Sequence, residues 1–200
     1  VIIAILGFVA ANYVYSKHSI AKIEKGINIM NLEGQRISSM TRVWYGSLYM
    51  YLQALNPGVL DQFLGTFFTT EVKASINEVL EVNNNLKNTL FSLGDSELLK
   101  SAFEDDIIFW NSPDDMILSN TLDTFSSTDL LLNKYYEFTK VSDFSELIPI
   151  DSIPYTFNNT ANDYMSKSHK MSFEAEEFLR KIITANIHTI VGILASEMSP

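Results

Sequence analysis

The chain has 200 residues, of which 46 % are hydrophobic and 12 % are aromatic, so it can bury a core and is not a disordered chain. Its formal net charge of −10 argues against a nucleic-acid-binding protein, because phosphate recognition needs clustered lysines and arginines. The absence of cysteine excludes disulfides, thiolate catalysis and cysteine-ligated zinc.

The sequence opens with an uncharged apolar stretch, residues 1–15, which runs without a proline into a helical pattern ending at Leu55. A membrane-spanning helix needs about 20 apolar residues. Residues 1–15 are therefore either part of a truncated membrane-spanning helix or the core of a signal peptide. We prefer the truncated span, because no small-residue cleavage site follows and the helical pattern continues through Ser16 and Lys17.

Within residues 16–55, apolar or small side chains recur at steps of three and four, which predicts a helix packed lengthwise on others. This predicted seam consists of Ile20, Ile23, Ile27, Met30, Gly34, Ile37, Thr41, Trp44, Leu48, Tyr51 and Leu55. We expect it to face the core and to bury Trp44. Other apolar residues near the end of the helix lie off the seam, which indicates cover by residues 105–120 or by a second protomer.

Asn56 and Pro57 predict the start of a second helix, which continues to about Leu93 and ends at Gly94. Asp95 predicts the cap of a short helix over residues 96–103.

Residues 105–120 break the helical pattern and predict an irregular loop, with one extended segment and a buried Trp110. The next helix is predicted to begin near Leu122 or Thr128 and to end at Val141. Ser126 with Asp129 has capping-box-like spacing at its start.

The last helix is predicted to begin near Asn158 and to run past Ile190. After Lys181 the polarity drops, and residues 182–200 are predicted to be a second membrane segment or a membrane-proximal helix. Asn186 and His188 make this segment a weak span, because both side chains are costly in lipid.

These elements predict an all-α fold, an antiparallel up-down four-helix bundle over residues 16–181 whose first and last helices are longest. The first helix is expected to continue from the membrane segment at residues 1–15.

This layout resembles the extracytoplasmic four-helix-bundle sensory domains of chemoreceptors and sensor kinases. The apolar residues 1–15, the helix 16–55, two inner helices and the returning helix 157–195 carry the resemblance. It implies a transmembrane receptor that signals by displacement of its last helix against its first. It also implies that arginines of the first helix hold a ligand carboxylate, here Arg36 and Arg42.

The same resemblance implies an extracytoplasmic domain, and the one N-glycosylation sequon, residues 158–160, agrees with that side. Lys17, Lys22 and Lys25 after the first segment favour the cytoplasmic side, although long domains translocate largely regardless of charge.

Arg36 and Arg42 lie off the predicted seam, so exposed arginines that bind no ligand are the alternative. If both end helices leave the membrane together, at Tyr15 and Ile182, then Arg36 and Ala161 lie at the same height. The predicted site for a small anionic ligand therefore combines both arginines with Asn159, Thr160 and Asp163. An ion pair between Arg36 and Asp163 that binds nothing is the other interpretation.

We find no catalytic motif and no metal-ligand spacing, and we therefore expect no enzyme activity, no cofactor and no metal. The acidic pairs at 105–106 and 114–115 fit a solvated loop better than a cation site. The expected partners are membrane lipid, a small anionic ligand and a second copy through the first helix, but not nucleic acid. The alternative function is a structural or accessory subunit of a larger membrane assembly.

Overall fold

The computed structural model describes residues 2–57, 62–109, 120–150 and 153–197. These residues are mostly helical, which confirms the all-α class. The helices are α1 (Ile2–Leu55), α2 (Gln62–Leu93), α3 (Ser96–Phe103), α4 (Thr124–Phe138), α5 (Ile153–Asn159) and α6 (Met165–Glu197). A 3-10 turn covers Phe144–Leu147, and a π-helical turn, Thr160–Tyr164, joins α5 to α6 without a break.

A small antiparallel hairpin, β1 (Ile107–Phe109) and β2 (Asn120–Leu122), lies between α3 and α4. Ile107 is paired with Leu122, and the alternating residues Ile107 and Phe109 are buried. The extended segment predicted within residues 105–120 is therefore present. The predicted burial of Trp110 lies outside the described residues.

The predicted end of α2 and start of α3 are confirmed. Gly94 has a φ of +69°, a left-handed conformation that glycine adopts without a steric penalty. The Asp95 carboxylate accepts hydrogen bonds from the backbone N–H groups of Glu97 and Leu98, which would otherwise lack partners.

The predicted start of α4 needs correction. The helix begins at Thr124 because the Asp123 carboxylate accepts hydrogen bonds from the backbone N–H groups of Phe125 and Ser126. The cap is therefore Asp123, and the capping box suggested by Ser126 and Asp129 is wrong.

The long helix α1 packs against both α2 and α6 and runs antiparallel to each. Along α2, Lys25 Nζ lies 2.6 Å from the Ser92 carbonyl oxygen, and Gly46 approaches Val72. Along α6, Gly26 approaches Leu179. The predicted adjacency of the first and last long helices is thus present.

The buried face of α1 has the predicted period but a different phase. Its buried residues are Gly26, Ile29, Leu32, Glu33, Arg36, Ser39, Met40, Val43, Gly46, Ser47, Met50, Gln53 and Ala54. The predicted seam lies one residue further along, so Ile20, Ile27 and Leu55 are exposed and Trp44 is half-buried. Counting apolar residues on each face of α1 favours the predicted seam, because the face that is actually buried contains the charged residues Glu33 and Arg36.

Two apolar clusters form the core. The distal cluster, toward the end of α1, includes Met40, Val43, Val79, Tyr135 and Phe157. The proximal cluster, nearer the start of α1 and the end of α6, includes Ile29, Leu32, Leu86, Leu90 and Ala175. Glu33 and Arg36 lie between the two clusters along α1.

Among the described residues, no helix combines the length and hydropathy needed to cross a bilayer. The interpretation of residues 1–15 and 182–200 as membrane segments remains a prediction.

Candidate functional site

A layer of polar side chains separates the two apolar clusters. It consists of Glu33 and Arg36 from α1, Asn83 from α2, Thr124 and Thr128 from α4, Tyr164 from the π-helical turn and Ser168 from α6, all of them buried. We call this set the buried polar layer. Four separate segments of the chain meet in it, so its geometry depends on how these segments pack.

An ion pair lies at the centre of the buried polar layer. Arg36 Nη2 lies 2.7 Å from Glu33 Oε2, and both side chains are 0 % exposed. The two residues are three apart on α1, which places them on the same face of the helix. Arg36 Nη1 also lies 3.4 Å from Asn83 Oδ1. The guanidinium therefore links α1 to α2 through an amide.

The contact of Arg36 with α6 is weaker than its contacts with α1 and α2. Arg36 Nη2 lies 3.8 Å from Met171 Sδ, and Thr124 Oγ1 lies 3.2 Å from the same sulfur. A thioether is a weak acceptor on a flexible side chain and repacks easily. The last helix is thus held at the ion pair by an adaptable contact.

Two atoms of the ion pair are buried without a hydrogen-bond partner among the described residues, Glu33 Oε1 and Arg36 Nε. Burial raises the pKa of the Glu33 carboxyl, while the charge of Arg36 and its hydrogen bond oppose the rise. The pair is therefore incompletely compensated, and such a pair in a core is weak evidence for stability.

Hydroxyl groups extend the layer toward the distal cluster. The hydroxyls of Thr128 and Tyr164 lie 3.1 Å apart, and those of Tyr135 and Thr160 lie 2.8 Å apart. Burial raises the pKa of both tyrosines, so their hydroxyls stay protonated at neutral pH. Both hydrogen bonds join α4 to the π-helical turn, a rare element often associated with functional positions.

Lys167 anchors the hairpin to the last helix. Its Nζ lies 2.5 Å from Asp106 Oδ2, immediately before β1, and its side chain is only 4 % exposed. This pair connects the segment at residues 104–106 to α6, one residue before Ser168 of the buried polar layer.

The structure separates the predicted site residues. Arg36 is buried and pairs with Glu33. The alternative in which the Arg36 side chain is exposed to solvent is therefore wrong. Arg42 is 49 % exposed and pairs with Glu78 at 2.5 Å. Asn159 and Thr160 are buried, and Asp163 is half-buried. The predicted set is therefore not one cluster.

The predicted site was wrong because it assumed that Arg36 of α1 and Ala161 of the last helix lie at the same height. Arg36 lies level with Met171 rather than Ala161, and Tyr15 lies 3.5 Å from Thr189 through their hydroxyl oxygens. The offset of about ten residues corresponds to about 15 Å along the helix. Arg36 does not face the patch of Asn159, Thr160 and Asp163.

Sequence reasoning missed Glu33 and Asn83, although a signal for Glu33 was present. Glu33 and Arg36 have the three-residue spacing of a same-face ion pair. Asn83 begins the run Asn83–Asn85, of which it alone is buried on the inward face of α2.

Several concave surfaces lie outside the core of the described residues. A groove of about 510 Å³ between α1, α3 and α6 is lined by residues that include Lys22, Glu97, Glu174, Phe178 and Lys181. A shallower depression of about 400 Å³ on α1 and α2 is lined by residues that include Gly34, Ser38, Arg42 and Glu78. Of the two predicted arginines, Arg42 is the one that a solvent-borne anion can reach.

The described residues contain no group of three histidine, aspartate or glutamate side chains placed to hold a metal ion. The acidic pair at 114–115 lies outside these residues. Comparisons of the chain with protein-family models, curated proteins and solved structures found no match.

Proposed function

We propose that the chain is the helical sensory domain of a membrane receptor, an antiparallel four-helix bundle built from α1, α2, α4 and the continuous α5–α6 helix. In this proposal the signal is a displacement of α6 against α1. A displacement needs two packings of similar free energy and an element that adapts between them.

The observation that carries the proposal is the asymmetry of contacts around Arg36. Glu33 and the Asn83 amide bind the guanidinium from α1 and α2, whereas α6 meets it through the Met171 sulfur at 3.8 Å. Near the other end of the α1–α6 contact, Gly26 packs closely against the Leu179 side chain, a flexible group that can change rotamer if α6 moves. We infer that α1 and α2 form the fixed frame and α6 the moving part.

A ligand site for this receptor is better supported at Arg42 than at Arg36. The Glu33 carboxylate already occupies the position beside Arg36 that a ligand carboxylate would take. Arg42 lines an open depression, and a small anion there competes with Glu78 for the guanidinium. We propose that the other predicted ligand residues, Asn159, Thr160 and Asp163, act in packing the last helix.

Distance measurements between spin labels test the displacement. Because the chain has no cysteine, labels attach only where cysteines are introduced. One pair, Glu24→Cys with Lys170→Cys, reports on α1 and α6, and the control pair, Glu24→Cys with Asn84→Cys, reports on α1 and α2; all three residues are exposed and lie outside the Arg42 depression. We expect a broad or two-peaked distribution for the first pair, which succinate, a dicarboxylate probe, shifts. We expect one narrow, unshifted peak for the control.

A second candidate function is a structural or accessory subunit of a membrane assembly. It is favoured by exposed apolar residues near the distal end, namely Tyr45, Leu52, Leu55 and Phe67. Narrow, succinate-independent distributions for both label pairs would contradict the sensory proposal and favour this rigid scaffold.

A further inference from the structure

The end of the molecule where α1 begins and α6 ends is basic, although the chain as a whole carries a net charge of −10. Glu24 is the one acidic residue in positions 1–31, and positions 178–196 contain none. Five basic residues lie here, Lys17, Lys22, Lys25, Arg180 and Lys181, and we call them the basic collar. The approach of Gly26 to Leu179 places Lys25 level with Arg180, and the contact of Tyr15 with Thr189 places Lys17 near the level of Ile187.

An exposed apolar surface begins near the level of Lys17 and continues toward the start of α1, and we call it the apolar tip. Its members on α1 include Val9, Tyr13 and Val14, the last two 67 % and 65 % exposed. Its members on α6 include Ile187 and Val191, both more than half exposed. Tyrosine beside a basic band is typical of side chains at the boundary between bilayer and water.

The cations of the basic collar differ in how far they are neutralised. Arg180 Nη2 lies 3.5 Å from Glu176, and Lys181 Nζ lies 3.4 Å from Glu177 and 3.7 Å from Glu97, which offsets the α6 charge. On α1, Lys17 and Lys22 are exposed. Lys22 shares its groove with Asp95, Glu97 and Glu177, so Lys17 carries the least compensated charge beside the apolar tip.

Charge decides between two occupants of the apolar tip. A second copy packed side by side would bring basic collar against basic collar, which is repulsive. An anionic lipid surface attracts the lysines while its acyl chains cover the apolar side chains. The arrangement of an apolar tip followed by a basic collar fits the second occupant.

We propose that this end of the molecule docks on a bilayer of anionic phospholipid, with the apolar tip among the acyl chains and the basic collar at the headgroups. The inference rests on the membrane association in the proposed function and names the class of lipid. It requires no membrane-spanning helix.

The test is co-sedimentation of the 200-residue chain with vesicles of phosphatidylcholine and with vesicles of phosphatidylcholine mixed with phosphatidylglycerol. We expect stronger binding to the mixed vesicles, weakened by salt. Lys17→Gln with Lys22→Gln should lower that binding roughly 25-fold, about five-fold per lysine. The control, Lys73→Gln with Lys134→Gln, removes the same charge from exposed positions on α2 and α4 and should bind like the parent chain.

The apolar tip has its own variant, Val9→Ser with Val14→Ser, which should weaken binding to both kinds of vesicle. Equal binding of the parent chain to both vesicles, unchanged by the lysine variant, would overturn the lipid assignment and leave the membrane association standing. Absence of binding to either would overturn both proposals. Self-association in ultracentrifugation, without vesicle binding and abolished by the valine variant, would assign the apolar tip to a second copy.

Discussion

Arg36 brings a guanidinium into a core of apolar side chains, and Glu33 meets it at 2.7 Å. Desolvating two such groups offsets most of their mutual attraction, so the pair adds little net stability. Removing one partner is a different matter, because it leaves the other buried without its counter-charge. Truncating an exposed arginine changes stability little, but truncating the buried Arg36 leaves the Glu33 carboxylate without its partner.

Arg36→Ala and Glu33→Ala should each lower the free energy of unfolding by about 3–5 kcal/mol. Glu33→Leu combined with Arg36→Met should restore it to within about 1 kcal/mol of the parent, because well-packed apolar residues replace the ions. Arg42→Ala, which removes an exposed ion pair, is the control and should change it by about 0–1 kcal/mol. Urea unfolding measures all four variants. A loss below about 1 kcal/mol for both single alanine variants would contradict the buried ion pair.

The pKa of Glu33 gives the stability a pH dependence of unusual sign. Burial raises the pKa in the folded state above the ordinary value of 4.5, so the folded chain binds the proton more tightly than the unfolded chain does. Glu33 therefore contributes more stability as pH falls through its folded pKa toward 4.5, and this contribution is lost as pH rises.

Glu33→Gln removes this titration. The free energy of unfolding of the parent chain, minus that of Glu33→Gln, should increase as pH is lowered from neutral toward 4.5. Subtraction cancels the other groups with shifted pKa values, such as Asp129. Denaturant unfolding across this range measures the difference, and a difference that decreases on acidification would show that Arg36 outweighs burial.

At the scale of the helices, periodicity was predictable and phase was not. The steps of three and four along α1 came from the sequence correctly, yet the buried face lies one residue earlier. An apolar count places a helix by its hydrophobic residues, and it cannot favour a face that holds Glu33 and Arg36. Along α2, where the inward face is apolar, Val72, Ile76, Val79, Leu86 and Leu90 are buried.

The glycines of α1 test the position of its buried face. A Cβ added at Gly46 would lie 2.5 Å from Cγ2 of the buried Val72, whose branched side chain has little freedom to move. Gly46→Ala should lower the free energy of unfolding by about 1–3 kcal/mol through overpacking. Gly34 has open space around its Cβ position, so Gly34→Ala should raise it by about 0.5–1 kcal/mol. Thermal or urea unfolding compares the two, and the reverse order would contradict the observed phase.

At the scale of the whole molecule, the all-α class and the antiparallel pairing of the long helices followed from the sequence. The relative height of α1 and α6 did not follow from the sequence. It was inferred from Tyr15 and Ile182, the ends of two uncharged segments, and these residues do not lie at the same level. The structure sets the height through packing, with Gly26 against Leu179 and Arg36 beside Met171. Asn159, Thr160 and Asp163 therefore belong to a different level from Arg36, and the predicted site could not be assembled from residue spacing alone.

The position of Asn83 bears on how the chain avoids misaligned intermediates while it folds. The residues one turn to either side of Asn83 on the buried face of α2 are Val79 and Leu86. A slide of α2 along α1 by one turn, about 5.4 Å, would place the guanidinium of Arg36 against an aliphatic side chain. The apolar stretches on both sides tolerate such a slide, whereas a buried charge facing hydrocarbon does not. One amide therefore selects a single alignment of a long helical hairpin, and Asn83→Leu should permit alternatives that the native chain rejects.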